Sequence, residues 1–193
     1  MLSPSVTTLL LEARAGSDQA LNRLFEQCGE RLLSLIRLRM GTKLRLRMES
    51  GDLLNATLLR AFRSFDSLEA RNTSSLMAWL ASIAKSEIRD QTDRLDAQRR
   101  DAGKEVPLDS GCVDLAARMR SQTSQLVLSE SRLKLERAIR HLSDEHREIV
   151  LLRQYEELGF KEIGRRLGKS PDACRMLLAR AMTALTLKMR GPS

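Results

Sequence analysis

The residues with most to offer chemically lie on the last predicted helix, Pro171 to about Lys188. At about 100° per residue, Arg175, Met176, Ala179 and Arg180 share one face of that helix. Guanidinium groups donate in a fork that fits guanine edges and phosphate oxygens. Ala179 between them would allow close approach. Cys174, Leu177, Leu178, Ala181 and Leu185 fall on the other face, as a core stripe. A helix that enters a major groove needs small or basic residues on its N-terminal half. An ordinary amphipathic helix with solvated arginines projects the same way, so the preceding elements decide.

Those elements carry clear signals. Ser143 can cap a helix whose first turn holds Asp144 and Glu145, the sign favoured at a positive helix end. Ile149, Val150 and Leu152 supply its apolar side, and Gly159 and Phe160 are expected to break it. A short helix is expected from Lys161 to Leu167. Gly168 can take the left-handed conformation that ends it. Ser170 then serves as N-cap and Pro171 as first helical residue. Two helices joined by a short turn containing Gly form the pattern of a helix-turn-helix. From Leu158 to Ser193 there are eight basic and two acidic residues, which suits phosphate contact.

Other chemistries find little support. Cys28, Cys112 and Cys174 are far apart and odd in number, which argues against a disulfide framework or zinc site. Buried thiols are the expected reading. His141 and His146 are five apart and do not share a helix face at ligand spacing. There is no nucleophile elbow, phosphate loop or metal cluster. No enzymatic activity and no cofactor are expected. The run Leu9, Leu10, Leu11 is too short for a signal peptide or membrane span, so a soluble, cytoplasmic protein is expected.

The whole chain has 193 residues, with 33 Lys plus Arg against 25 Asp plus Glu, a net charge of +8. Aromatic residues are only 3%, so the core must be built from Leu, Ala, Ile and Met. That palette disfavours a large β-sandwich or barrel and favours helices. The basic excess points to a polyanion. It is unevenly spread: residues 1–100 carry net +4, residues 101–125 net −1, and residues 126–193 net +5. The middle stretch holds Gly103, Pro107 and Gly111 among several Ser and Thr residues, and shows no apolar period. The expected fold is all-α: two small helical domains joined by a flexible linker, the second containing the helix-turn-helix.

In the first domain, Leu21, Leu24, Phe25, Cys28, Leu32, Leu35 and Ile36 keep helical period. Gly41 and Thr42 interrupt it. Arg37, Arg39, Lys43, Arg45 and Arg47 read as a solvated face. The helix from Asp52 to Phe65 turns Leu54, Leu58, Ala61, Phe62 and Phe65 inward. Asp52, Asn55, Leu59 and Arg63 form a separate stripe that suits a protein partner. Asn72, Thr73 and Ser74 offer caps for a third helix, with Leu76, Trp79, Leu80, Ile83 and Ala84 as its buried stripe. Trp79 reads as a core anchor rather than a base-stacking platform. From Lys85 onward that helix is polar and mixed in charge.

Taken together, these segments resemble the bacterial sigma-70 family, in its compact extracytoplasmic-function (ECF) branch. Asp52-Leu-Leu-Asn-Ala-Thr-Leu-Leu-Arg-Ala-Phe-Arg-Ser-Phe65 is similar to the family's polymerase-binding helix. Ala78-Trp-Leu-Ala-Ser-Ile-Ala-Lys-Ser-Glu-Ile-Arg-Asp90 resembles its promoter-melting helix. Leu142 to Tyr155, Phe160 to Gly168, and Arg180-Ala181 resemble its second domain. The sequence departs from the usual pattern in places. Asn55 stands where Gln is usual, Ser86 where Asn is common, and Leu76 where Phe is frequent. Gly164 stands for Ala, and Asp172-Ala173-Cys174 for Gly-Thr-Val.

The resemblance implies a sigma factor that binds core RNA polymerase and recognises and melts promoter DNA. Residues 1–100 would bind the polymerase through Asp52, Asn55, Leu59 and Arg63. They would also hold the melted non-template strand of the minus-ten element along Lys85, Ser86 and Arg89, with a flipped base in the loop from about Asp66 to Ser75. Residues 101–125 would link the domains. Residues 126–193 would read the minus-thirty-five duplex through Arg175, Met176, Ala179 and Arg180. The implied partners are the beta-prime clamp and beta flap of core RNA polymerase, promoter DNA as duplex and melted strand, and an anti-sigma factor; a membrane is not among them. The competing reading is a stand-alone helix-turn-helix regulator that binds duplex operator DNA without polymerase.

Overall fold

A computed structural model describes residues 5–68, 72–98 and 130–190. The linker of residues 101–125 and part of the expected base-holding loop lie outside them. The described residues fold into α1 (Val6–Arg14), α2 (Asp18–Arg39), α3 (Thr42–Arg45), α4 (Ser50–Arg63), α5 (Thr73–Gln98), α6 (Glu130–Arg140), α7 (Asp144–Val150), α8 (Phe160–Leu167) and α9 (Pro171–Arg190). A 3-10 turn, Phe65–Ser67, follows α4, and a π-helical turn, Leu151–Tyr155, continues α7. There is no strand among the described residues, and the all-α expectation holds.

Caps set the boundaries. Ser5 Oγ accepts from the Thr8 N–H and Ser17 Oγ from the Ala20 N–H, both at 3.2 Å, at the starts of α1 and α2. Asn72 opens α5 reciprocally. Its Oδ1 accepts from the Ser75 N–H at 2.9 Å, and its own N–H donates to Ser75 Oγ at 3.2 Å. Ser143 caps α7 and Ser170 caps α9, as their positions predict.

α2 is the spine of the N-terminal half and packs on α1, α4 and α5. Leu24, Leu32, Ile36, Leu54, Leu76 and Leu80 are essentially inaccessible. Two details differ from the sequence reading. Leu53 and Thr57 are fully buried on α4, whereas Phe62 is only partly covered. Thr57 enters the core because its hydroxyl donates to the Leu53 carbonyl at 2.7 Å and leaves no orphan donor. On α5, Met77 and Ala81 take interior places and Trp79 stays half-buried at the margin.

The C-terminal half packs α7, α8 and α6 around α9. It does not stand apart. α2 also lies against α6 and the π-helical turn, and one continuous set of buried residues runs through both halves. The seam between them is lined with charges.

Candidate functional site

The outward face of the last helix sits as the spacing predicts. Gly168 ends α8 at φ 64°, in the left-handed region where glycine carries no steric penalty. Pro171 then starts α9. Cys174, Leu177, Ala181 and Leu185 are buried, and Leu178 is partly so. Arg175, Met176, Ala179 and Arg180 all face solvent. Arg175 is restrained rather than loose. It pairs with the Asp172 carboxylate one turn back, and its guanidinium lies over the Phe160 ring at 5.2 Å. Arg153 stacks on the same ring at 5.0 Å.

Phe160 was expected to break the helix before the turn. It is instead the first residue of α8, with Gly159 as N-cap. The helix that starts at Asp144 ends earlier. The Glu156 N–H bonds to the Leu151 carbonyl at 3.0 Å, an i to i+5 bond that widens the last turn. Gly164 also has a local reason. A Cβ built there would stand 2.5 Å from the Lys169 carbonyl oxygen, so the turn closes on a position that has room for no side chain.

Asp52, Asn55, Leu59 and Arg63 share one side of α4. Asp52 and Arg63 are exposed, and Asn55 and Leu59 are half-buried. The structure therefore brings the expected polymerase-facing stripe together.

The three residues expected to follow the melted strand fare differently. Arg89 is exposed and Ser86 half-buried, but Lys85 is engaged. Its Nζ lies 2.6 Å from Glu156 Oε1. Glu156 is 1% exposed. It also takes Arg39 of α2 at 2.9 Å and Arg166 of α8 at 2.9 Å. Arg39 holds Glu148 as well, through two bonds of 2.5 and 2.9 Å. Burial pulls the Lys85 ammonium below its ordinary range against the bond to Glu156, and the neighbouring Arg39 adds to that pull. For Arg39, burial works against the charge, but Glu148 and Glu156 outweigh it and hold the group above its ordinary range.

Adjacent contacts extend the seam. Glu157 adopts φ 56°, and is the non-glycine residue in the left-handed region among those described. Its carbonyl accepts from Ser74 Oγ at 2.7 Å, and its carboxylate pairs with Arg31. The buried Glu136 of α6 takes Arg37 at 2.8 Å. The basic run from Arg37 to Arg47 is thus partly consumed by ion pairs and is not simply a solvated face. Of the loop expected to hold a flipped base, Ser74, in the first turn of α5, bonds to Glu157.

Glu136, Glu148, Glu156 and Glu157 had no assigned part in the sequence reading. The one available signal was the Glu156-Glu157 pair just before the strongly basic stretch that begins at Leu158. Cys28 and Cys174 are buried free thiols, and Cys112 lies outside the described residues. Burial pushes the Cys28 thiol up to about 11, with Arg31 opposing and Glu157 adding, so it is not a nucleophile near neutrality. Among the described residues no group of three or more His, Cys, Asp or Glu could hold a metal, and no helix is long and apolar enough to cross a membrane.

Comparison with known proteins places this geometry. The family model "Sigma-70, region 4" matches residues 132–185, from α6 into α9. The chain resembles the sigma-70 family over that stretch. It is 28% identical over 183 residues to the ECF RNA polymerase sigma factor BldN of Streptomyces coelicolor, an alignment that takes in 95% of this chain. The chain spans 65% of that relative's length. The structure of CnrH in complex with the cytosolic domain of CnrY superposes with a TM-score of 0.52 at 18% identity. That superposition covers 98% of this chain and 100% of CnrH, and shows a shared fold.

Two outcomes follow from the seam and the turn. Glu156→Gln removes the buried charge and leaves Arg39, Lys85 and Arg166 facing one another. It should cost about 3–5 kcal/mol of stability in urea unfolding and enlarge the scattering radius of the free protein. An unchanged radius would contradict a seam held by Glu156. Gly164→Ala should lower stability by about 1–3 kcal/mol, because the methyl meets backbone; a neutral result would show that the turn yields.

Proposed function

We propose that the chain is a sigma factor that binds core RNA polymerase and directs promoter-specific initiation by recognising and melting promoter DNA. The observation that carries the reading is the matched region 4 domain, whose α9 turns Arg175, Met176, Ala179 and Arg180 outward behind a glycine turn. In this reading residues 126–193 dock that face in the major groove of the minus-thirty-five element. Arg175 exchanges Asp172 for a guanine edge or a phosphate. The exchange is inexpensive, since an exposed ion pair contributes little.

Residues 1–100 would set Asp52, Asn55, Leu59 and Arg63 against the beta-prime clamp, while residues 101–125 connect the domains. Lys85, Ser86 and Arg89 would then hold the non-template strand. Base flipping costs a few kcal/mol, which a charged groove and a base pocket can supply. Lys85 cannot meet a phosphate while Glu156 holds it. Polymerase binding must therefore part the seam, with the beta flap taking the second domain. The catalysis belongs to the polymerase, and the chain itself would act in the cytoplasm without enzymatic activity. An anti-sigma factor is part of the proposal, supported by CnrH, which is seen with the cytosolic domain of CnrY.

Reconstitution tests this directly. Purified chain added to core RNA polymerase should give promoter-directed transcripts, and Asn55→Ala should weaken binding to core. Duplex binding that needs no polymerase, together with no transcription, would instead favour a stand-alone regulator. Arg175→Ala should weaken upstream-element binding by about 1–3 kcal/mol if it reads a base. Uniform weakening on all sequences would reduce it to a phosphate contact.

A further inference from the structure

Beside the seam, α2, α3 and α6 border an open cavity of about 690 Å³. Four guanidinium groups line it: Arg37 of α2, Arg45 at the end of α3, Arg47 just beyond, and Arg140 of α6. Glu136 takes two of them, Arg37 at 2.8 Å and Arg140 at 3.9 Å. Arg45 and Arg47 are exposed and form no ion pair among the described residues. The Nε of Arg140 is buried without a hydrogen-bond partner, although its Nη2 donates to the Arg37 carbonyl at 3.2 Å. Burial holds the Arg140 guanidinium below its ordinary range, and the charges of Arg45 and Arg37 push the same way against Glu136. Like charges gathered around a cavity, with donors unmet, are the arrangement an anion relieves.

The remaining walls narrow the choice of anion. Glu49 and Asp52 also line the cavity, and they would repel a long nucleic-acid backbone running through it. A compact ligand can place its charge on the arginines and avoid them. Leu46, 80% exposed, and Met48 add apolar surface on which a base can rest. The volume falls within the usual range for small-molecule sites, about 300–1,000 Å³.

We infer that this cavity binds a nucleoside di- or triphosphate, with its phosphates on Arg37, Arg45, Arg47 and Arg140 and its base toward Leu46 and Met48. The site draws residues from both halves of the molecule. Its ligand therefore binds the closed arrangement better than an open one and stabilises it by that difference. The binding step stands whether or not the chain serves a polymerase.

Calorimetric titration of the full chain tests the site, with ADP, pyrophosphate, sulfate at matched ionic strength, and a short single-stranded oligonucleotide. ADP should bind more tightly than pyrophosphate, and sulfate should give no saturable heat. Arg45→Gln, which breaks no ion pair, should weaken ADP about tenfold. Arg47→Gln should act in the same direction, and Arg23→Gln, an exposed arginine away from the cavity, should leave binding unchanged. Sulfate binding equal to that of ADP would overturn the proposal. So would equal ADP affinity in Arg45→Gln and the unsubstituted chain, or binding of the oligonucleotide alone.

Discussion

Glu156 is the group on which the closed form of this molecule depends. Removing a carboxylate from water costs several kcal/mol even after relaxation. At 1% exposure it is compensated by three cations that converge on it, from α2, α5 and α8. Those helices span both halves of the chain. The π-helical turn and the left-handed Glu157 set the backbone around Glu156, while Arg31, Arg37 and Ser74 bond alongside. Without the carboxylate, Arg39, Lys85 and Arg166 would be neighbours of like sign in a poorly solvated place.

Two kinds of ion pair in the structure therefore have different consequences. Arg175 and Asp172 are mostly solvent-exposed, and their pairing is worth little against water. In the proposed function, exchanging that pair for DNA would cost little, and α9 would meet duplex without opening of the seam. The bonds to Glu156 are buried, and breaking one partner is worth several kcal/mol. Strand contact through Lys85, as proposed, would therefore be coupled to separation of the halves, with a partner surface supplying the difference. In the proposed function, duplex reading and strand capture would be ordered by this contrast: the first available to the free protein, the second only after opening.

Much of this was legible in the sequence. Apolar period and caps located the helices, because Ser143, Ser170, Pro171 and Gly168 act through local backbone chemistry. The outward face of α9 and the stripe on α4 followed from projection alone. What stayed hidden was long-range. Nothing local to Lys85 says that it meets Glu156, which is 71 positions away in the chain, nor that Arg37 and Arg39 turn toward carboxylates of the other half. The interior place of Thr57 depends on a backbone bond that polarity scales ignore. The π-helical turn shifted the end of the helix by a few residues, since the sequence offered Gly159 as the obvious stop. Phe160 became a stacking surface for two arginines only once the π-helical turn and α9 were folded beside it.

In the proposed function a charged seam closes the free chain and core RNA polymerase opens it. Energy transfer between dyes at Glu12 and Lys188, both exposed and in opposite halves, measures this most directly. With Cys112 replaced to keep labelling specific, the free protein should show high transfer, which falls when core RNA polymerase is added. High transfer that persists in a polymerase complex would contradict the account.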